Sequence, residues 1–550
     1  MRVKDAVPGW VFSGAVLFLF FFGLAQIPLW SSDEGRFGEI VREMWVSKDF
    51  IVPHFNFIPH IEKPVFSFWL GSLSAALFGV SSFSMRLPSV VSALLGILMV
   101  HYFTQGLFNK KTADFAAIIL ATSLGYVLVG RFAIIDMVMT FFMSGAIFCL
   151  AKASIEENPR FYLFAYVFMG LSLITKGLIG LVLPALIFLF YLLWTGNLAE
   201  IKKMRLGWGV VIIALIFIPW GIAISMRQPE FSYSFIMEQH FNRYASGFFG
   251  RKRPFWFFAP ILLSLAFPWS FFLPAAAFQR FSLTDTKRNK VLKFLICWFV
   301  VIFVFFSIPK SKLPYYILPL CVPLAVWVAS WLDKELDSKT YRLILQGTGL
   351  VFFSALIAAN FYLVFWLKDA RVLPLKNLLH VASLCVFAGG WLTGFFLNKK
   401  EHAKSFISAA GTVYVLLIFI IIAMKGVTPY LSTYEAAGTL QRVMKEGDEV
   451  AMFSSPDHFS DFPFHLAKRV IVVGSDRGTL SKELQGSEYA DDVSYWFPTA
   501  SEFVRRFNSR SERLFCLSDE EDMKQLEHIG LVSYKVVQKG GGKLLISNEI

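Results

Sequence analysis

The residues best suited to chemistry begin with a carboxylate pair. Asp33 and Glu34 open the run S-S-D-E-G-R-F-G-E at 31–39, directly after an apolar stretch that ends at Trp30. Arg36 and Glu39 follow about one helical turn later. An acid in that place can orient an acceptor hydroxyl or take its proton. The same residues also suit a helix start, because Ser32 precedes an acidic first turn. Spacing alone leaves both readings open. A second charged pair, Glu62 and Lys63, stands in H-I-E-K-P at 60–64, with Pro64 in a helix-starting position. It is either a solvated rim or a lysine for a phosphate beside an acid for a metal or an arginine.

Further along, Asp136 lies in R-F-A-I-I-D-M-V-M at the mouth of an apolar run, where a carboxylate needs a partner such as Arg131 or a ligand. Lys176, in L-I-T-K-G-L-I-G, is a lone cation between two apolar runs, with Gly177 and Gly180 behind it. An ammonium beside the N–H groups of a helix start suits an anion, while a snorkelling lysine is the plainer alternative. In E-Q-H-F-N-R-Y, His240 and Arg243 share a helix face. Arg243 offers a phosphate fork, and His240 with Glu62 could hold a divalent ion. The run S-I-P-K-S-K-L-P-Y-Y-I-L-P places Lys310, Lys312 and Tyr315 between prolines. That composition fits phosphate or sugar at an interface, and fits an aromatic belt as well. Taken together, the cations would hold a phosphate and offset charge developing on it as a leaving group. A carboxylate would orient the acceptor, and direct displacement would invert the attacked carbon.

These residues must be positioned by membrane helices. Of 550 residues, 56% are hydrophobic and 17% charged, with 61 Phe and 15 Trp, and the mean hydropathy is +0.58. Soluble domains are usually less apolar and more charged. Apolar runs lie near 10–30, 65–80, 86–107, 113–130, 134–151, 160–175, 177–195, 207–226, 254–274, 291–308, 314–332, 343–367, 378–397 and 405–425. Most are long enough to span a bilayer. The first reads as an anchor rather than a cleavable signal. The run at 65–80 is short and Ser-rich, and is read as a juxtamembrane or re-entrant helix. Leaving it out gives about 13 spans and puts nearly every basic linker on one side, among them Lys110/Lys111, Lys202/Lys203 and Lys399/Lys400. The net charge of +13 is then an orientation signal, and nucleic acid is not the expected partner. The chemistry-bearing segments all fall on the opposite face. Residues 1–429 are expected to form the membrane domain, with 31–85 an outer loop carrying juxtamembrane helices. Residues 430–550 alternate strand-like stretches (448–453, 469–474, 513–517, 533–537) with helical ones (435–447, 500–510), as in a small α/β domain. Cys149, Cys297, Cys321 and Cys385 read as apolar packing residues, and no cysteine framework is visible.

In order along the chain, D-E-G-R-F-G-E-I-V-R-E-M, E-K-P-V-F-S-F-W, R-F-A-I-I-D-M, T-K-G-L-I-G-L-V-L-P, E-Q-H-F-N-R-Y, K-S-K-L-P-Y-Y-I-L-P and S-D-F-P-F-H-L-A-K-R-V-I-V-V-G resemble lipid-carrier-dependent GT-C glycosyltransferases. More narrowly they resemble the 4-amino-4-deoxy-L-arabinose lipid A transferase family, related to protein O-mannosyltransferases. The resemblance implies a mainly α, polytopic GT-C fold with a small C-terminal periplasmic α/β domain. It implies a bacterial inner-membrane enzyme acting at the periplasmic face, and the chain is expected to be a monomer. Its donor would be a sugar on undecaprenyl phosphate, its acceptor lipid A or another glycan, and its phenotype polymyxin resistance. By the same resemblance Asp33, Lys63 and Asp136 are catalytic. Lys176 and Arg243 match positions that hold the carrier phosphate, while Glu34, Arg36, Lys310, Lys312 and Tyr315 are expected to bind substrate from their types and places alone. Glu62 and His240 are candidate ligands for Zn or Mg/Mn. The glycine in DEGRF, the glutamine in EQHF and the serine in KSKLP depart from the usual pattern, and the second puts any role of Glu238 in doubt. A same-fold transferase of another sugar (galacturonic acid, galactosamine, a hexose or mannose) to the lipid A core, a surface glycan or protein Ser/Thr is the nearest alternative. A transporter is the non-enzyme alternative, but it would favour midplane charge and inverted repeats.

Overall fold

Apolar runs of this length can satisfy their backbone in hydrocarbon only as helices, and helices dominate the computed structural model. It describes residues 8–233, 235, 253–279, 281, 284–365, 373–474 and 494–549. Among the described residues, eight helices are long and apolar enough to cross a membrane, and ten spans result if each of two bent pairs counts as one. Three further apolar runs form α1 (Gly9–Phe21), α8 (Arg160–Lys176) and α9 (Ile179–Thr195), of 13, 17 and 17 residues. The last two are at the short end of the roughly 17–25 residues a crossing helix uses, and the first is below it. The first helix ends earlier than its apolar run, since Gly23, at φ 70°, and Pro28 interrupt the remainder of that run. The run at 65–80 gives α3 (Phe66–Phe78), 13 residues long. The chain is a multi-pass membrane protein.

The chain divides into two compact units, the first being residues 1–23, 62–66 and 89–423. In it α7 (Ile135–Ile155) packs on α8, and α8 on α10 (Leu206–Arg227). The helix Pro314–Glu335 is largely buried, whereas Lys339–Tyr362 and Leu375–Asn398 expose most of their surface, as lipid-facing helices do. Two expected spans are bent. Lys110–Ala121 (α5) and Leu124–Gly130 (α6) meet at 63°, and Phe255–Leu265 and Trp269–Ala277 at 111° around Pro268. At the first break hydroxyls add to the backbone bonds that close α5. Thr122 Oγ1 donates to the Ile118 carbonyl at 2.6 Å and Ser123 Oγ to that of Ile119 at 2.7 Å. Trp269 Nε1, beside the second break, donates to Thr122 Oγ1 at 3.0 Å.

The second unit comprises residues 24–61, 67–88 and 424–550. It joins the outer loop to the polar tail in one cluster. The loop forms α2 (Asp33–Ser47) and a short antiparallel pair, β1 (His54–Phe55) with β2 (Ile58–Pro59). The tail forms a five-stranded sheet in the order β4-β3-β5-β7-β6, where β3 is Glu449–Phe453, β4 Ile471–Val473, β5 Leu514–Asp519, β6 Lys535–Gly540 and β7 Lys543–Ser547. The strands β4, β3 and β5 run parallel, while β7 is antiparallel to both β5 and β6. The last strand was not among the sequence expectations. Ala451, Ile471, Phe503, Phe507, Leu514 and Ile546 build the core between the sheet and its helices. Asn56 acts as a strand edge would: its amide donates to the Val470 carbonyl at 2.9 Å and its oxygen accepts from Val470 N at 3.0 Å.

Candidate active site

The charged side chains singled out by sequence fall into two groups, one in each unit. In the first unit Asp136 sits in the first turn of α7, buried, and its carboxylate is ion-paired with the Lys176 ammonium. Lys176 ends α8, and the chain turns through Gly177 at φ 95°, a conformation that favours glycine, before α9 begins. That turn fixes the lysine at a helix junction. Its Nζ also lies 5.0 Å from the centre of the Tyr316 ring, a cation–π distance.

Sequence reasoning suggested Arg131 as the partner of Asp136, and the structure gives a different pairing. Arg131 donates to the carbonyls of Leu19, Phe20 and Phe22, at 2.6, 2.8 and 2.6 Å. It caps the end of α1, where unmatched carbonyls and the negative helix end favour a cation.

The loop after Ser307 carries the other cations of this unit. Lys310 is exposed, and its carbonyl accepts from Arg253 N at 2.9 Å. Lys312 is buried, and its ammonium donates to the Arg253 carbonyl at 3.2 Å. Burial pulls the Lys312 ammonium below the usual lysine range. Arg253, whose backbone anchors both lysines, was not among the sequence candidates. Tyr315 is half-buried and packs edge-on to Tyr316. Glu62 and Lys63 are half-buried in the stretch 62–66, whose Phe66 ring meets Phe142 of α7 at 5.7 Å. Glu238, His240 and Arg243 lie outside the described residues. Among the described residues no three His, Cys, Asp or Glu side chains gather as a metal would require. Glu62 alone of the suggested pair can therefore be placed.

In the second unit Asp33 begins α2 and is ion-paired with Arg36 on the next turn. The other terminal nitrogen of Arg36 reaches Asp457 at 2.8 Å. All three side chains are partly buried. Ser32 does not cap α2 through its side chain. Glu34 is buried, and both its oxygens are engaged by Arg86, Nε to Oε1 and NH2 to Oε2 at 2.8 Å each. Trp30 N adds a third donor at 3.1 Å. A bidentate fork of this kind is the strong form of an ion pair.

Glu39 and Arg42 form a second buried pair, two hydrogen bonds at 2.6 and 2.7 Å. Burial, and then the Glu39 carboxylate beside it, raise the Glu43 carboxyl well above the usual acid range, although the Phe57 N–H works against this at 2.8 Å. Arg86, Asp457 and Asp461 were not among the sequence candidates. Arg86 looked like a flank of an apolar run, and the two aspartates stand more than 400 residues from the loop they contact. No local pattern joins residues so far apart.

A family model described as dolichyl-phosphate-mannose-protein mannosyltransferase matches residues 62–222. Several curated relatives carry the name undecaprenyl phosphate-alpha-4-amino-4-deoxy-L-arabinose arabinosyl transferase. One from Pectobacterium atrosepticum is 37% identical over 310 residues, 56% of this chain and 55% of the relative. One from Shewanella sediminis is 28% identical over 512 residues, 89% of this chain and 90% of the relative. One from Aeromonas hydrophila is 30% identical over 415 residues, 73% and 74%. Against the first of these the chain spans little more than half the relative's length, and against the second nearly all of it. Among solved structures, ArnT from Cupriavidus metallidurans bound to undecaprenyl phosphate superposes with a TM-score of 0.85 at 24% identity, over 98% of both chains. The archaeal oligosaccharyltransferase AglB from Archaeoglobus fulgidus does so with a TM-score of 0.54 at 13% identity, over 93% of this chain and 69% of that one. The fold is that of GT-C glycosyltransferases, and the chain belongs to the undecaprenyl phosphate-alpha-4-amino-4-deoxy-L-arabinose arabinosyl transferase family.

Proposed function

We propose that this protein is an inner-membrane glycosyltransferase that moves 4-amino-4-deoxy-L-arabinose from undecaprenyl phosphate to a lipid A phosphate at the periplasmic face. The observation that carries the proposal is the match over 90% of a relative bearing that name. The charge chemistry supports it. An acceptor phosphate oxygen attacks the anomeric carbon while the bond from that carbon to the carrier phosphate oxygen breaks. The electron pair leaves with undecaprenyl phosphate, and the sugar carbon inverts. Lys63, Lys176, Lys310, Lys312 and Arg243 offset the charge gained by the leaving phosphate. Asp136 holds the Lys176 ammonium in place for that task, and Tyr315 borders the same loop as the two lysines. Asp33, with Arg36 and Glu34 beside it, orients the acceptor; an ionised phosphate needs little help from a base. A divalent ion on Glu62 and His240 belongs to the same proposal, with no step assigned to it. The protein works as a monomer.

The family model at 62–222, described for a protein mannosyltransferase, favours transfer to protein as the second reading. Mass spectrometry of lipid A from a deletion strain separates the two. The first reading expects loss of the aminoarabinose-modified species and a fall in polymyxin resistance, both restored by the wild-type gene but not by Asp33→Asn. An unchanged lipid A spectrum, with glycopeptides lost instead, would overturn it. In the same strain, single cysteines at positions 33 and 63 should both react with an impermeant thiol reagent applied from the periplasm. Reaction only after the membrane is opened would overturn the orientation.

A further inference from the structure

The parallel strands of the second unit place a topological switch point beside the candidate acid. Chain order is β3, β4, β5, yet β3 lies between the other two. The chain passes from β3 to β4 on one side and then to β5 on the other, and in α/β sheets ligands usually sit at the carboxyl ends of strands where the order reverses in this way. Here the loop 454–461, S-S-P-D-H-F-S-D, leaves the carboxyl end of β3. His458 Nε2 lies 2.8 Å from Asp519 Oδ2 at the end of β5, so the loop is pinned across that edge. The hydrogen bond that His458 donates to Asp519, more than the carboxylate charge, raises the imidazole above its ordinary value.

The same loop holds the start of α2. Ser31 Oγ donates to Asp461 Oδ1 at 2.5 Å, and Ser460 Oγ to the Ser32 carbonyl at 2.6 Å. Asp461 is fully buried, and its Oδ2 accepts from Ser432 Oγ and Thr433 N, each at 2.7 Å. Backbones touch here: a Cβ on Gly35 would lie 2.3 Å from Asp461 N. Asp457, adjacent to the pinned His458, then presents Oδ1 to Arg36.

We infer that Asp457 is a positioning residue for the transfer reaction, acting on Asp33 through Arg36. Arg36 spends one terminal nitrogen on Asp457 and the other on Asp33. Without Asp457 the guanidinium can turn both arms onto Asp33, as arginine prefers. A carboxylate forked in that way is a poorer orienting group for the acceptor. The tail domain thus controls the geometry of an acid more than 400 residues away in sequence. The inference rests on the proposed role of Asp33.

The test uses full-length protein in detergent, with undecaprenyl-phosphate-linked 4-amino-4-deoxy-L-arabinose as donor and lipid A as acceptor. Asp457→Asn should lower kcat about tenfold or more and change KM for either substrate less than about twofold. Asp457→Glu should recover most of the rate. In an Arg36→Lys background, which already lacks the fork, Asp457→Asn should cost less than about a further twofold. The inference is overturned if Asp457→Asn keeps the wild-type rate while Asp33→Asn is inactive. It is also overturned if the loss follows the folded fraction, or if the loss is undiminished in the Arg36→Lys background. Full activity of Asp33→Asn would instead remove the underlying reading.

Discussion

Replacing Arg86 by Met should unfold the second unit more readily than any exposed charge substitution. Arg86 makes five hydrogen bonds: two to Glu34, and one each to the carbonyls of Leu24, Ile27 and Pro28 at 3.1, 2.6 and 2.9 Å. Arg86 and Glu34 are 2% and 4% exposed, so water reaches neither in the folded state. Removing one partner of a buried pair costs about 3–5 kcal/mol, because the other charge stays buried without its counter-charge. The three carbonyls add about 1 kcal/mol each where no water replaces the guanidinium. A loss of about 5 kcal/mol or more is therefore expected. It would be read as a fall of about 10 °C or more in the unfolding midpoint, followed by tryptophan fluorescence in detergent. The double variant Arg86→Met, Glu34→Met removes both charges, and should recover about 2–4 kcal/mol of the loss while the carbonyls remain unmatched. The reasoning fails if Arg86→Met costs under about 1 kcal/mol, or if the double variant is no more stable than the single one.

The other buried pairs give two more expected outcomes. Lys176→Met should lower transfer about a hundredfold or more and also destabilise the first unit, since it removes the cation beside a buried carboxylate; adding Asp136→Asn should restore folding but not activity, and a doubly substituted protein that regains transfer would refute a direct role for the lysine. Glu43, whose carboxyl is raised by burial and by Glu39, contributes stability that is complete below the ordinary acid range and is lost as pH rises through its elevated folded value. Thermal midpoints between about pH 5 and about pH 9 should fall less steeply in Glu43→Gln than in the wild type, and parallel curves would rule this out.

The membrane character was legible in the sequence because it depends on local composition. Hydrocarbon leaves the backbone no partner but itself, so a long apolar run is a helix whatever its neighbours do. Four of the five tail strands were legible for a related reason, as short apolar stretches between turn signals. Strand β7, K-L-L-I-S, was overlooked because it follows β6 through only Gly541 and Gly542, and the two read as one segment with a glycine tail. The positions of costly charge were also legible: Asp136, Lys176 and Lys312 are each buried or nearly so, as charges kept at a membrane rim must be if they are held by partners.

Partner choice was decided by tertiary structure alone. Nothing in R-F-A-I-I-D could say that Arg131 would turn to the carbonyls closing α1 and leave Asp136 to Lys176, forty residues away. Nothing near D-E-G-R could say that its arginine would be shared with Asp457. Charge type and depth are properties of a short segment, whereas the direction in which a charge finds its partner depends on which helices and loops the completed fold brings alongside.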